Sequence, residues 1–265
     1  MKKNIIYLIL ILFSTFLNAN EKIVLQLKWF HQFQFAGYYA AKEKGFYDEV
    51  GLNVEIRQRD LKYNNIDEVI NGNAQYGVAD SILILYRLKQ QPVVIVSPIF
   101  QHSPSVFISL KKSNISSVYE LNNKDILFYP NDTDGFSLLA MIKKFDLDVN
   151  LVRERYKDDY MRLINNEVDV MPAYIANEPF LFKEKGYDVN IINPTNYGFD
   201  MYGDMLFTNE DEAKNNPIRV EKFKEATLKG WKYALENKEE IIQLISEKYS
   251  KEKSIEHLRY EANAI

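Results

Sequence analysis

The 265-residue chain contains no cysteine. That excludes a disulfide framework, thiolate metal sites, thiol catalysis and a lipid-modified cysteine behind a leader. Histidine is scarce as well: His31, His102 and His257 stand far apart, and none shares with another the spacing that puts two metal ligands on one helix face. No nucleophile elbow and no phosphate-cradling glycine loop occurs in the sequence. These lacks leave no cofactor, metal or catalytic group to expect. Positive charge is not in excess either, with 33 Lys and Arg against 37 Asp and Glu and a net charge of -4. A chain so balanced is not a nucleic-acid binder, nor one drawn to an anionic membrane surface. Long apolar runs are confined to the first nineteen residues, where Lys2 and Lys3 precede the run Ile5 to Phe13 and Leu17-Asn18-Ala19 offers a cleavage site. This is the pattern of a secretory signal peptide, too short for a membrane span. Residues 1–19 are therefore expected to be removed and the rest exported to the periplasm. The alternative is an uncleaved leader that leaves the chain as the outer domain of a membrane-anchored protein.

Aromatic residues are plentiful, with 18 Tyr and 16 Phe, and the most informative cluster lies near the start. Ile23 to Leu27 reads as a short strand that empties into Lys28-Trp29-Phe30-His31-Gln32-Phe33-Gln34-Phe35. A helix from Ala36 to Lys44 and a second strand, Asn53 to Arg57, complete a βαβ unit. In open α/β sheets ligands sit outside the carboxyl ends of the strands, which is where this aromatic and amide loop belongs.

Strands and helices alternate through the remainder, which gives an α/β fold. Helices are expected at Ile66 to Asn71, Ile82 to Leu88 and Phe136 to Phe145, and from Glu210 onward. Strands are expected at Ala74 to Ala79, Pro92 to Phe100, Ser105 to Lys111, Asp125 to Tyr129, Leu151 to Tyr156, Val168 to Tyr174, Val189 to Ile192 and Met205 to Phe207. An internal echo sets the architecture. Val69 to Ser81 runs helix end, Asn/Gly turn, short strand and polar helix start, and Leu163 to Pro179 repeats that plan about ninety residues later. Two similar lobes follow, each a mixed sheet flanked by helices: 20–108 with 203–265, and 109–202, with crossings near Phe107 to Leu110 and Phe199 to Met205. Ligands bind between such lobes, and closure is a hinge motion.

The run Trp29 to Tyr39, followed by Ala40-Ala41-Lys42-Glu43-Lys44-Gly45-Phe46-Tyr47 and Gly51-Leu52-Asn53-Val54, resembles the opening of the type II periplasmic substrate-binding proteins of the thiamine-pyrimidine-synthase-like and sulfonate-binding branch. Gly77 to Ser81, Asn177-Glu178-Pro179 and Tyr197 to Asp204 resemble later landmarks of that family. The resemblance implies a clamshell that captures a small organic solute for an ABC importer. In some relatives a similar domain is the sensor of a larger receptor.

Trp29, Phe30, Phe33 and Phe35 offer ring faces to a planar ligand, although alternate residues of an extended segment point opposite ways and about half should be structural. Gln32 and Gln34 supply donors and acceptors, and Tyr38 a hydroxyl from the following helix. Asp80 and Ser81 open a helix, where a carboxylate caps the N-terminus with or without a ligand. Tyr174, Asn177 and Glu178 close an apolar strand whose end faces the cleft, and Glu178 suits a ligand amine. Tyr202 and Asp204 lie near the second crossing, where Asp204 is either a second acceptor or a hinge bond. His31 is read as a hydrogen-bonding wall. The arginines, at Arg57, Arg59, Arg87, Arg153, Arg155 and Arg162, fall away from these loops, whereas a sulfonate site favours a guanidinium fork. An acidic, aromatic site favours a heteroaromatic of the aminopyrimidine kind, the chemistry the resemblance also implies. The loop Pro130 to Gly135 opens a helix, and its Asp132 and Asp134 would repel a phosphate.

The first reading is thus an exported, non-catalytic binding protein with an ABC permease as partner. The second is the outer domain of a membrane receptor such as a sensor kinase, with a fused or partner signalling module, because Glu256 to Ile265 is helical with no stop signal. The third is a pyrimidine-precursor synthase. The synthases of the resembled family are cytosolic and carry a Cys-rich motif, which this chain lacks.

Overall fold

The structure is a computed structural model that describes residues 20–128, 135–155 and 159–265. The expected signal peptide, the loop 130–134 and the strand ends at 129 and 156 lie outside the described residues. Among the described residues no helix is long and apolar enough to cross a membrane.

The first sheet is built on the opening βαβ unit. Strand β1 (Glu21–Gln26) pairs in parallel with β2 (Leu52–Arg57) on one side and β3 (Tyr76–Ala79) on the other. Strand β10 (Met205–Asn209) returns antiparallel between β3 and β4 (Val93–Pro98), giving the order β2-β1-β3-β10-β4. The first crossover is α1 (Ala36–Glu43), and Gly45 follows it with φ 76°. A left-handed residue just past a helix end is a position glycine fills without strain. Gly45-Phe46-Tyr47 reads as plain punctuation, yet the one-turn helix α2 (Phe46–Glu49) forms there because Tyr47 is drawn into the core, stacked on Phe223 at 5.0 Å. Helices α3 (Asn65–Ile70) and α4 (Leu83–Leu88) follow β2 and β3.

In the second sheet, β5 (Ser105–Leu110) lies antiparallel between β8 (Met171–Tyr174) and β9 (Val189–Ile192). Strand β6 (Asp125–Phe128) pairs in parallel with β7 (Asn150–Arg153), and a bridge from Ile126 to Val170 sets β6 beside β8. Helices α5 (Phe136–Lys144), α6 (Asp159–Ile164) and α7 (Glu178–Glu184) flank these strands. The crossing expected at Phe107 to Leu110 is displaced. All six residues of β5 are buried in the second sheet, so the chain changes sheets earlier, through residues 99–104, and returns through 193–204. A six-residue run buried on both faces, apolar but for Ser105 and Ser109, satisfies its backbone only inside a sheet, not in a connection.

The chain from 210 onward is helical: α8 (Glu210–Asn215), α9 (Pro217–Glu236), α10 (Lys238–Lys248) and α11 (Ile255–Ala264). Helix α9 packs across α1 at a seam of small residues. A Cβ placed on Gly230 would overlap the Gly37 carbonyl and stand 2.6 Å from Ala41 Cβ, and one on Gly37 would enter the Trp231 ring. Only glycine allows so close a backbone approach. Gly230→Ala is therefore expected to destabilise the protein by about 1–3 kcal/mol through overpacking. Urea denaturation checks this, and an unchanged midpoint would show that the two helices are free to part.

Candidate functional site

Between the sheets, at the carboxyl ends of β1 and β8, lies a cavity of about 310 Å³. One wall is the loop after β1. Trp29 and Phe30 meet edge to face with centroids 5.4 Å apart, and Phe30 is 37% exposed. Gln32 and Gln34 are buried beside them, and His31 Nδ1 lies 2.9 Å from Tyr39 Oη. Burial, with help from the Lys42 charge, lowers the pKa of His31, so the ring is a neutral hydrogen-bonding wall.

The opposite wall is the end of β8 and the start of α7. Glu178 Oε2 accepts from the Tyr174 N–H at 2.7 Å, and Oε1 accepts from Asn177 Nδ2 at 2.7 Å. Burial raises the Glu178 pKa, opposed by the Tyr174 N–H and the Lys253 charge. Its place at the first turn of α7 follows from the sequence, since Pro179 is suited to the start of a helix and Glu178 complements the helix N-terminus.

The hinge side is closed by a buried polar chain. Lys28 Nζ donates to Tyr174 Oη at 2.6 Å and lies 3.4 Å from Asp204 Oδ1, with both charged side chains 2% exposed. Tyr174 Oη donates to Asp204 Oδ1 at 3.0 Å, Gln34 Nε2 donates to Asp204 Oδ2 at 2.8 Å, and Gln32 Nε2 donates to Gln34 Oε1. Lys28 and Gln34 belong to the first lobe and Tyr174 to the second, so Asp204 ties the two at the point where the chain crosses back.

A third side comes from the C-terminal helices. Lys253 Nζ donates to Asn177 Oδ1 at 2.5 Å and to Glu261, and His257 Nε2 stands 2.8 Å from Asn177 Oδ1. Burial holds the His257 pKa down at about 4, with the Lys253 charge adding to the effect, so the imidazole is neutral near pH 7. Glu261 also accepts from the Phe33 N–H at 2.7 Å.

The structure brings Trp29, Phe30, Gln32, Gln34, Tyr174, Asn177 and Glu178 together around this cavity. Other expected site residues stand elsewhere. Phe33, Phe35 and Tyr38 are sunk in the core of the first lobe, as the half-structural reading of that segment allows. Asp80 Oδ1 accepts from the Ile82 N–H at 2.8 Å, and Oδ2 reaches across to the Gly135 N–H at 3.0 Å. It caps its own turn and joins the two lobes. Ser81 Oγ donates to the Tyr202 carbonyl at 2.7 Å, a bond at the crossing, and the Tyr202 ring is 49% exposed away from the cavity. Asp204 lies one residue behind the wall. The arginines are not all remote, because Arg162 pairs at 3.3 Å with Asp159, which lines the cavity.

Lys28, Glu154, Asp159, Lys253 and His257 line the cavity without having been singled out. A signal was present for two of them: Lys253, His257 and Glu261 recur every fourth residue. For Glu154 and Asp159 there was none, since they follow a short strand with no distinctive spacing. The lysines are each matched from behind by a buried carboxylate, Lys28 by Asp204 and Lys253 by Glu261. Glu154, Asp159, Glu178 and Glu252 also line the cavity, Asp159 paired with Arg162, and with Trp29 and Phe30 they make its lining acidic and aromatic.

Known proteins resemble this chain in sequence and in fold. A riboflavin-binding protein, RibY, of Chloroflexus aurantiacus is 26% identical over 236 residues, 84% of this chain, and the chain spans 65% of that relative's length. A formylaminopyrimidine-binding protein of Halalkalibacterium halodurans is 23% identical, with 86% of this chain and 70% of the relative aligned. Among solved structures, the aliphatic sulphonate-binding protein SsuA of Escherichia coli superposes with a TM-score of 0.70 at 12% identity, covering 92% of this chain and 83% of its own. The nitrate-binding protein NrtA of Synechocystis PCC 6803 also gives 0.70, at 13% identity, over 89% of this chain and 68% of its own. These likenesses fix the fold as that of the periplasmic binding proteins. The NMT1/THI5-like family model matches residues 32–241, from the loop after β1 into α10, and the chain belongs to that family.

Proposed function

We propose that the protein is an extracytoplasmic solute-binding protein that closes two lobes on a small heteroaromatic ligand and delivers it to an ABC importer without chemical turnover. The observation that carries this reading is the interlobe cavity, with a Trp29 and Phe30 face on one lobe and the Glu178 carboxylate on the other. A ring stacked on Trp29 would present its exocyclic amine or ring nitrogen to the acidic wall. Its volume, about 310 Å³, is at the low end of small-molecule sites, about 300–1,000 Å³, which favours a single ring over a tricyclic flavin. The two sequence relatives bind, by their names, a formylaminopyrimidine and riboflavin, both heteroaromatic.

A thermal-shift screen with aminopyrimidines, flavins and alkanesulfonates tests the reading. A ligand at one hundred times its Kd stabilises the folded state by about 2.7 kcal/mol. Stabilisation by sulfonates alone would sink the acidic-cavity reading. Trp29→Ala is expected to weaken an aminopyrimidine about tenfold, the size of one aromatic stacking contact, with the unliganded melting point little changed. Unaltered affinity would move the stacking face elsewhere.

A second reading, the ligand-sensing outer domain of a membrane receptor such as a sensor kinase, draws on α11. This helix touches both lobes: Tyr260 Oη donates to the Ile175 carbonyl at 3.1 Å in the second, and Glu261 accepts from Phe33 in the first. Lobe closure would therefore be felt at α11. A membrane span and signalling module in the same reading frame would favour the receptor, and a neighbouring permease gene the importer.

A further inference from the structure

His31 stands on the first-lobe wall of the cleft, across from Glu178, and its ring is fixed by two tyrosines. Tyr39 and Tyr249 stack on each other with centroids 4.2 Å apart, and the imidazole packs against both, 5.7 Å from Tyr39 and 5.3 Å from Tyr249. Among the described residues the ring makes one hydrogen bond, between Nδ1 and Tyr39 Oη at 2.9 Å.

The phenol decides which ring nitrogen carries the proton. Tyr39 is wholly buried in the core of the first lobe, and burial pushes its pKa up, so the hydroxyl keeps its hydrogen. The phenol oxygen already receives the Gln32 N–H, and His31 Nδ1 is the acceptor its hydrogen meets. A buried hydroxyl hydrogen without an acceptor is costly, so Tyr39 donates and Nδ1 accepts. The neutral imidazole then bears its hydrogen on Nε2. Nε2 has no hydrogen-bond partner among the described residues, and it is not enclosed, because the buried polar atoms left without partners there belong to other residues. The two nitrogens of an imidazole point in widely divergent directions. With Nδ1 turned to Tyr39 in the core, Nε2 faces out of the core, on the half-buried side where His31 lines the cavity. Gln32 and Gln34, on the same wall, already donate to Gln34 and Asp204.

We propose that His31 is a specificity-determining residue whose Nε2–H donates to a ring carbonyl or ring nitrogen of the ligand, while Glu178 on the other lobe accepts from the ligand's amine. This rests on the cleft being the ligand site, and it narrows the ligand to a ring that offers an acceptor to one lobe and a donor to the other. Nitrogen-15 spectra of the labelled protein, with His31 assigned through His31→Gln, should show the proton on Nε2 and a bare Nδ1. Tyr39→Phe removes the hydroxyl that fixes this tautomer and should let the two nitrogens average. Cytosine offers a ring carbonyl, 4-aminopyrimidine ring nitrogens, and aniline an amine with neither. Saturation with the tighter heterocycle should shift the Nε2 resonance as its proton enters a hydrogen bond. His31→Phe should weaken that heterocycle about tenfold, the worth of one buried hydrogen bond, and leave aniline unchanged, with His31→Gln restoring part of the loss through its amide donor. A proton on Nδ1, an unmoved Nε2 resonance at saturation, or equal losses for aniline and the heterocycle overturns the proposal and spares the cleft as the ligand site. Binding of none of the three probes overturns both.

Discussion

Asp204→Ala is expected to destabilise the protein by about 3–5 kcal/mol, the cost of removing one partner from a buried ion pair. The reason is in what the carboxylate holds. Lys28 lies 3.4 Å away with its side chain 2% exposed, and the substitution would keep that ammonium buried without its carboxylate. Tyr174 Oη and Gln34 Nε2 would lose their shared acceptor at the same time. Because these groups come from both lobes, the loss also loosens closure. Urea denaturation measures the first effect as a lower midpoint at unchanged slope. The double variant Lys28→Met with Asp204→Leu separates charge from packing. It should recover most of the stability, since two apolar side chains replace a buried pair with little loss. A drop below about 1 kcal/mol in the single variant would mean that water reaches Lys28 and that the pair does not hold the hinge.

The reach of the sequence is well shown by the residues around this pair. The βαβ opening was legible because its signals are local: an apolar strand, a helix-period run closed by Gly45, and a second strand. The two-lobed plan was legible because an asparagine turn before a short strand occurs twice, at Asn71-Gly72-Asn73 and at Asn165-Asn166. The lobe boundary was not, because a fully buried six-residue strand looks the same whichever sheet it joins, and only pairing with β8 and β9 assigns β5. The aromatic loop announced a site but not which rings face it. Phe33 and Phe35 sit on a 3₁₀ turn that drives both inward, and the strict alternation of an extended segment does not apply there. Lys28 read as the first residue of the loop after the strand, with no role of its own. Its role depends on Tyr174 and Asp204, which lie 146 and 176 positions away in sequence, and no local pattern predicts such a meeting. Asp80 shows the opposite case: its capping role was legible from its helix-start position, while its reach to Gly135 in the other lobe was not.

Replacing Glu178 is expected to remove the ligand's main polar anchor. If an aminopyrimidine places its amine against this carboxylate, Glu178→Ala should cost about 2–5 kcal/mol of binding, the range for truncating one side of a buried, hydrogen-bonded charge pair. Glu178→Gln keeps the shape and removes the charge, so a loss shared by both variants belongs to the charge. The pH dependence gives an independent reading. Burial raises the Glu178 pKa in the folded protein above its unfolded value, so the folded state holds the proton more tightly. The stabilisation from that proton is complete below the unfolded pKa and is lost as pH rises through the folded one, so stability falls with pH across that window. Glu178→Gln should flatten that fall and leave the unliganded protein more stable near neutral pH. A bound ligand amine favours the ionised carboxylate and draws the pKa back down. Binding should then release a proton within the same window, seen by calorimetry as a heat that changes with the ionisation enthalpy of the buffer. A buffer-independent heat there, together with undiminished affinity in Glu178→Gln, would assign the ligand's polar contacts to the amides of Gln32, Gln34 and Asn177 instead.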